Sequence, residues 1–540
     1  MNKFRLNVKL FTLSILSILC LSSCNEDKIL DVENQNVLNE GIILERLDQS
    51  TLAILVNGAY ASLQTTGLYG RYAHWLHDHQ SDEFQNFTDG NNIQPFIISN
   101  FRLLPESEPN TFYWEACYQG IARCNFIINS LPNSNLVPEE YNERLGEAHF
   151  LRGFYYFLIN TRFEGAVLVD GSEEAKPFSP KSEVYEAIEA DFSLAAELLP
   201  EAGQQESGRP SKSSAYGYLG KALIYQEKYD EAARAFELVT GHDLVENYED
   251  NFDEDNEYNV ESLFEIGFVS DKQNSQDVWG APPGRGDNET TFRSAEYSAW
   301  GNSRPSSEMI EEYAKELNET DAEALRTATL NEPGGYDVVV DKRFKGAWWT
   351  SGQEFGKSGF IWGELPASLV ENNNNFRRFG AASQGVTCSK KFSVYISNDE
   401  QVDSESGANI RTMRYADVLL LQAEAYINSS TPDFGRALEL INMVRSRKGT
   451  NNAAGLYGDG TNPILDAKFP TGSRENMMEI IKHERMIELC AEGHRLLDLV
   501  RWGDDLQEIQ QVKRSYQRNA YIMPIPQNEI NSNPVLRNQL

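Results

Sequence analysis

Residues Ala215 to Thr240, AYGYLGKALIYQEKYDEAARAFELVT, constrain this chain more than any other stretch. They read as two short helices packed as a hairpin. Small residues, Gly220 and Ala232, stand where paired helices must approach closely, and Tyr216, Leu219, Leu223, Tyr229 and Phe236 fill the groove between them. Helical periodicity continues upstream, where Leu145, Ala148, Leu151, Tyr155 and Leu158 fall on one stripe of Tyr141 to Asn160. Thr111 to Leu131 and Glu183 to Leu199 read the same way, the latter stopped by Pro200.

Position by position, the Ala215 to Thr240 hairpin resembles a tetratricopeptide repeat. A looser copy runs from Tyr415 to Gly449, with Ala425, Phe434, Ala437 and Ile441 in corresponding places, and a third helical stretch from Arg474 to Arg501. Such units bury their faces only by stacking, so the two copies are expected to meet in space. The intervening residues, about 246–400, then form a long excursion from a helical scaffold. They carry Pro282-Pro283-Gly284, Gly334-Gly335, the run Asn372 to Asn375 and few periodic apolar segments. The predicted fold class is mainly α: a tetratricopeptide-like scaffold, helical over about 111–240 and 411–503, with a loop-rich excursion and few short strands.

The balance of 48 Lys+Arg against 81 Asp+Glu gives a net charge of −33, which repels a phosphate backbone and excludes general nucleic-acid binding. The first 23 residues stand apart. Lys3, Arg5 and Lys9 precede an apolar run from Leu10 to Leu21 that is short for a membrane span and reads as a signal peptide. Leu21-Ser22-Ser23-Cys24 resembles the bacterial lipobox, which implies acylation at Cys24 and a lipid tether over 24–40. Loss of those three cations takes the charge from −33 to −36. Asn25-Glu26-Asp27-Lys28 resembles the surface-export signal of Bacteroidota lipoproteins. Cys117 and Cys124, seven apart on one helical face, are about 10 Å distant and too far for a disulfide. With Cys388 and Cys490 they read as buried small hydrophobes.

The C-terminal third is the most specific. Glu484-Arg485-Met486-Ile487-Glu488-Leu489, Glu492-Gly493-His494-Arg495 and Asp498-Leu499-Val500-Arg501-Trp502-Gly503 follow one another. Arg414-Tyr415-Ala416-Asp417, Ile441-Asn442-Met443-Val444-Arg445, Met523-Pro524-Ile525-Pro526, Asn57-Gly58-Ala59-Tyr60 and Phe150-Leu151-Arg152-Gly153 add further blocks. Taken in order, these resemble the SusD/RagB family over 41–540. That resemblance implies a non-catalytic surface lipoprotein of the outer membrane. It would capture oligosaccharide, or peptide as in RagB-like members, and deliver it to a SusC-like TonB-dependent transporter. It implies no cofactor.

Opposite charges three or four apart on these helices predict local pairs, Arg485 with Glu488 and Asp498 with Arg501. Glu488 and Glu492 line one helix, whereas a glycosidase needs two carboxylates about 5–9 Å apart across a cleft. His74, His77 and His79 admit three readings: a metal site, a ligand rim with Asp78, Asp82 and Glu83, or helix-end packing. The acidic cluster Asp250, Asp253, Asp255 and Glu257 lacks the pattern of a calcium loop and reads as solvated charge.

Five of eight Trp residues sit in the excursion. A Trp in a loop either packs inward or meets a ligand. A sugar offers an apolar C–H face to an aromatic ring, whose desolvation supplies affinity, while hydroxyl hydrogen bonds supply selectivity. The candidate ligand residues are therefore Trp279, Tyr297, Trp300, Trp348, Trp349 and Trp362, with Arg343 and Asp78 as polar partners. Trp114 and Trp502 lie in helical motifs and read as core.

Overall fold

The computed structural model describes residues 47–87, 93–172, 174–269, 301–330, 340–354, 361–364, 385–392, 407–447 and 455–539. Cys24, the signal and tether segments, Trp279, Tyr297 and Trp300 lie outside the described residues. No helix among the described residues is long and apolar enough to cross a membrane.

The scaffold opens with α1 (Gln49–Ala61) and the short α2 (Tyr72–His77), followed by α3 (Glu108–Ser130), α4 (Pro138–Phe163) and α5 (Lys181–Leu198). Next come α6 (Lys212–Ile224) and α7 (Tyr229–Glu237), the predicted hairpin. Local chemistry sets the boundaries. α4 begins with Pro138, whose missing N–H costs nothing there, and the Glu140 carboxylate accepts from Val137 N–H at 3.0 Å. Ser211 caps α6, its Oγ accepting from Ser214 N–H at 3.2 Å. From α3 to α7 each helix packs on the next, around a core that includes Leu151, Tyr155, Phe192, Tyr218 and Phe236. Gly220 earns its place by contact: a Cβ there would lie 2.5 Å from the Phe236 ring.

The excursion contributes α8 (Ser307–Ala314) and α9 (Lys342–Ala347); the scaffold resumes with α10 (Tyr415–Asn428), α11 (Phe434–Arg445), α12 (Arg474–Leu489) and α13 (Arg495–Trp502). The two hairpins meet as stacking requires, with α7 against α10. Tyr426 donates to Glu237 at 2.6 Å, and Ser430 N–H to Asp230 at 3.2 Å.

Among the described residues, three two-stranded antiparallel sheets complete the architecture: β1 (Gly165–Val167) with β2 (Phe178–Pro180), β3 (Ser262–Ile266) with β6 (Ile410–Arg414), and β4 (Trp348–Trp349) with β5 (Cys388–Ser389). In the second, Ser262 lies opposite Arg414, so the chain leaves and re-enters the scaffold side by side. A separate core joins the excursion to the scaffold, with Tyr248, Phe252, Met309, Tyr313, Phe344 and Trp348 packing on Met486, Ile487 and Cys490. Cys117, Cys124, Cys388 and Cys490 are buried, and none of them forms a disulfide among the described residues.

The stretch from Arg474 to Arg501 is not one helix. It breaks between α12 and α13, where Ala491 and Gly493 take left-handed φ of 60° and 82°. The break turns two backbone donors outward, Ala491 N–H to Glu83 at 3.3 Å and Gly493 N–H to Asp78 at 2.5 Å.

Candidate functional site

Glu484 and Glu488 on α12, and Glu492 just past its end, are each met by cations from distant elements. Arg414, at the end of β6, reaches Glu488 at 2.6 Å, Glu492 at 2.7 Å and Glu261 at 2.8 Å. Arg343, on α9, reaches Glu484 at 2.5 Å, Asp341 at 2.8 Å and Glu488 at 2.9 Å. Lys391 reaches Glu492 at 2.6 Å, and Arg445 reaches Glu316 at 2.7 Å. All these groups are buried. Burial alone would raise Glu492, but the Arg414 guanidinium and Lys391 ammonium outweigh it and hold the carboxyl down to about 2. Burial likewise opposes ionisation of Glu488, and Arg447, Arg414 and Arg343 overcome it. Glu488 and Glu492, so placed, stay charged, dry and paired. These ion pairs lock the excursion onto the scaffold.

This corrects two expectations. Arg343 is no ligand residue, because its guanidinium is spent inside this seam. Arg485 does not pair with Glu488 but reaches across to Asp417 and Asp498, both at 2.7 Å. The other predicted pair, Asp498 with Arg501, forms at 2.8 Å.

Asp78 is corrected as well. It is buried, accepts from Gly493 N–H, and lines a cavity of about 50 Å³ with His74, His77, Lys221 and His494. The whole segment 78–84 is an interior plug. Asp82 holds Arg495 through two bonds of 2.9 and 2.8 Å. Lys513 donates to the carbonyls of Ser81 at 2.6 Å and Phe84 at 3.0 Å, and burial pushes its ammonium down to about 7. His77 contacts Tyr113 Oη at 3.2 Å, while His79 contacts Ser303 Oγ at 2.8 Å and stacks on Phe84. Of the three readings of the histidines, packing is the one the geometry supports. Among the described residues no cluster of metal-ligating side chains occurs.

Three of the predicted aromatic platforms prove to be interior. Trp348 meets Phe84 edge to face at 5.7 Å. Trp349 and Trp362 stack at 5.3 Å and 9°, with Lys390 Nζ 4.8 Å from the Trp349 ring and Trp362 Nε1 donating to Val386 O at 3.0 Å. All three indoles are buried. A loop-rich segment without its own apolar periodicity must find a core somewhere, and here these rings supply it. Trp114 is core; Trp502 is half-buried, its Nε1 donating to Glu424 at 3.0 Å.

The acidic cluster is more than solvated charge. Asp253 accepts from the N–H groups of Asp255 and Asn256, and Glu257 accepts from Asn409 N–H at 2.8 Å, fastening the returning strand. Burial, first of all, raises Glu257 to about 7. Sequence reading also missed Asp417 and Glu424, buried carboxylates inside the α10 stripe whose departure from the apolar pattern was the available signal.

The fold of a helical scaffold with a pinned excursion has known counterparts. A SusD-like carbohydrate-binding protein from Bacteroides fragilis superposes with a TM-score of 0.72 at 22% identity, over 91% of this chain and 99% of its own. Surface glycan-binding protein A from Bacteroides thetaiotaomicron, solved with laminarihexaose, gives 0.65 at 20% identity, over 90% and 98%. SusD-like protein P38 from Formosa agariphila is 25% identical over 528 residues, covering 93% of this chain and 92% of that protein. The profile described as the SusD family matches residues 260–515, and one described as starch-binding associating with outer membrane matches 28–224. With both halves of the sequence matched by such profiles, the chain belongs to the SusD/RagB family.

Proposed function

We propose that this protein is a cell-surface glycan-binding lipoprotein that captures oligosaccharide without cleaving it and delivers it to a SusC-like TonB-dependent transporter. The observation that carries this reading is the mid-chain excursion, clamped to a family scaffold by buried ion pairs and a buried indole core. A support so rigid holds ligand groups in place before the ligand arrives, which lowers the ordering cost of binding. Glycan is favoured over peptide because laminarin and laminarihexaose are the ligands named for similar solved structures. Acylation at Cys24 would tether the protein to the outer membrane, the location in the description of the matched N-terminal profile.

With Trp348, Trp349 and Trp362 committed to the core, Trp279, Tyr297 and Trp300 remain the proposed platforms. Calorimetry with laminarihexaose and with maltohexaose tests this. Binding of at least one sugar is expected, weakened more than tenfold in Trp279→Ala or Trp300→Ala. Loss of a tenth of the affinity or less in both variants would remove those rings from the site, and binding of neither sugar would remove the reading.

A further inference from the structure

Two surface clefts, of about 310 and 290 Å³, adjoin along β3 and share Ser207, Gly208, Arg209 and Glu265. Together they lie within the range of about 300–1,000 Å³ typical of small-ligand sites. Trp348, Trp349 and Trp362 line neither cleft.

Its distinguishing residue is Tyr258. The ring is 42% exposed and lines the larger cleft, yet its backbone sits at φ 53°, a left-handed conformation that is a genuine outlier for a bulky side chain. Strain of this kind persists only where the surroundings impose it. Here they do. Tyr258 N–H donates to Glu265 at 2.9 Å, and the buried Glu265 is itself fixed by Arg411 at 3.1 Å and Asn409 at 3.0 Å. Two glycines make room for the ring. A Cβ on Gly208 would come within 3.3 Å of it, and one on Gly267 within 2.8 Å of its hydroxyl. The result is a flat aromatic surface held still and half open to water.

The remaining lining suits neutral hydroxyls better than a charged ligand. Arg209 is balanced by Glu147 at 3.0 Å, bonds Asn57 at 2.6 Å and lies over the Tyr60 ring. The exposed Glu206 carboxylate faces Arg144 at 3.1 Å. His242 Nδ1 donates to Val260 O at 3.0 Å, and burial disfavours the charged form of its ring. Gln205 and Ser207 add uncharged polar groups at the rim.

We propose that the trough along β3 is a second carbohydrate site, which seats a short neutral stretch of glycan against Tyr258. The proposal rests on the glycan-binding reading above and adds a site to it. Two variants test it. Tyr258→Asn removes the ring while placing there a residue that tolerates left-handed φ, so the melting temperature should hold or rise. Ser207→Trp fills the trough and leaves Tyr258 in place. Calorimetric titration of the purified protein with laminarihexaose and with maltohexaose is expected to show two sites per chain for one of them. Each variant should weaken the second site more than tenfold and leave the first unchanged. One site in the wild type, or two sites surviving in both variants, would overturn the proposal while the primary reading stands. A wild type that binds neither sugar would overturn both. A fall in melting temperature in Tyr258→Asn, with binding intact in Ser207→Trp, would assign the ring to packing.

Discussion

The two repeat-like hairpins follow one plan and are held by different forces. In α6–α7 the contact is shape: Gly220 accepts the Phe236 ring, and Ala232, Ala233 and Ala235 keep the helices close. In α10–α11 the same apolar contact, through Ala437, Leu440 and Ile441, is laced with buried charge. Asp417 reaches Lys221 on α6 at 3.1 Å and Arg485 on α12 at 2.7 Å, while Glu424 holds Arg501 and Trp502 on α13. The first hairpin has mostly sequence neighbours to hold. The second is the junction where the excursion returns and the last helices dock, so its partners come from far along the chain. Apolar contact is tolerant of sliding; a buried carboxylate satisfied by one arginine is not.

The comparison is most exposed at Arg414. Arg414→Ala leaves Glu261, Glu488 and Glu492 facing one another in the interior, and a loss of about 3–5 kcal/mol is expected from urea unfolding. A loss below about 1 kcal/mol would show that charge does not fasten this junction.

Acid is the next probe. Burial and the adjacent Lys221 hold His494 down to about 4 in the folded protein, against 6.5 for the free group. Between those values the unfolded chain binds the proton first, so stability falls as pH drops through the window. Glu492, at about 2 against 4.5, continues the decline below pH 4.5, since its protonation again favours the unfolded chain. His494→Gln should flatten the pH 6.5–4 limb by up to about 3 kcal/mol, read from denaturation midpoints at stepped pH. An unchanged slope would place the acid sensitivity elsewhere.

The smallest effect belongs to the dry hairpin. Gly220→Val drives a side chain into Phe236 and should cost about 1–3 kcal/mol, with little dependence on pH. Equal pH slopes in this variant and the wild type would sharpen the contrast between the hairpins.

The helical hairpins were legible in the sequence because their contacts are local and periodic: Gly220, Ala232 and Phe236 announce themselves by spacing. The seam was only half legible. Asp498 and Arg501 are one turn apart and do pair, whereas Glu488, one turn from Arg485, takes guanidinium groups from Arg343, Arg414 and Arg447 instead. Spacing reports neighbours on one helix and is silent on cations delivered by other elements. The Trp residues show the same limit. Trp348, Trp349 and Trp362 signalled large apolar surface in need of cover, but composition does not say whether protein or ligand provides it. Tyr258 gave no signal at all, since its peculiarity is a backbone angle.

The plug at 78–84 has a consequence for the making of the protein. Asp78, Asp82 and Ser81 find their partners 415, 413 and 432 positions further along. A nascent chain emerging amino end first therefore has nothing with which to close this knot until nearly all of it is synthesised. Closure of this plug by the Lys513 ammonium thus comes late in the order in which the chain is made, after the helices that surround it.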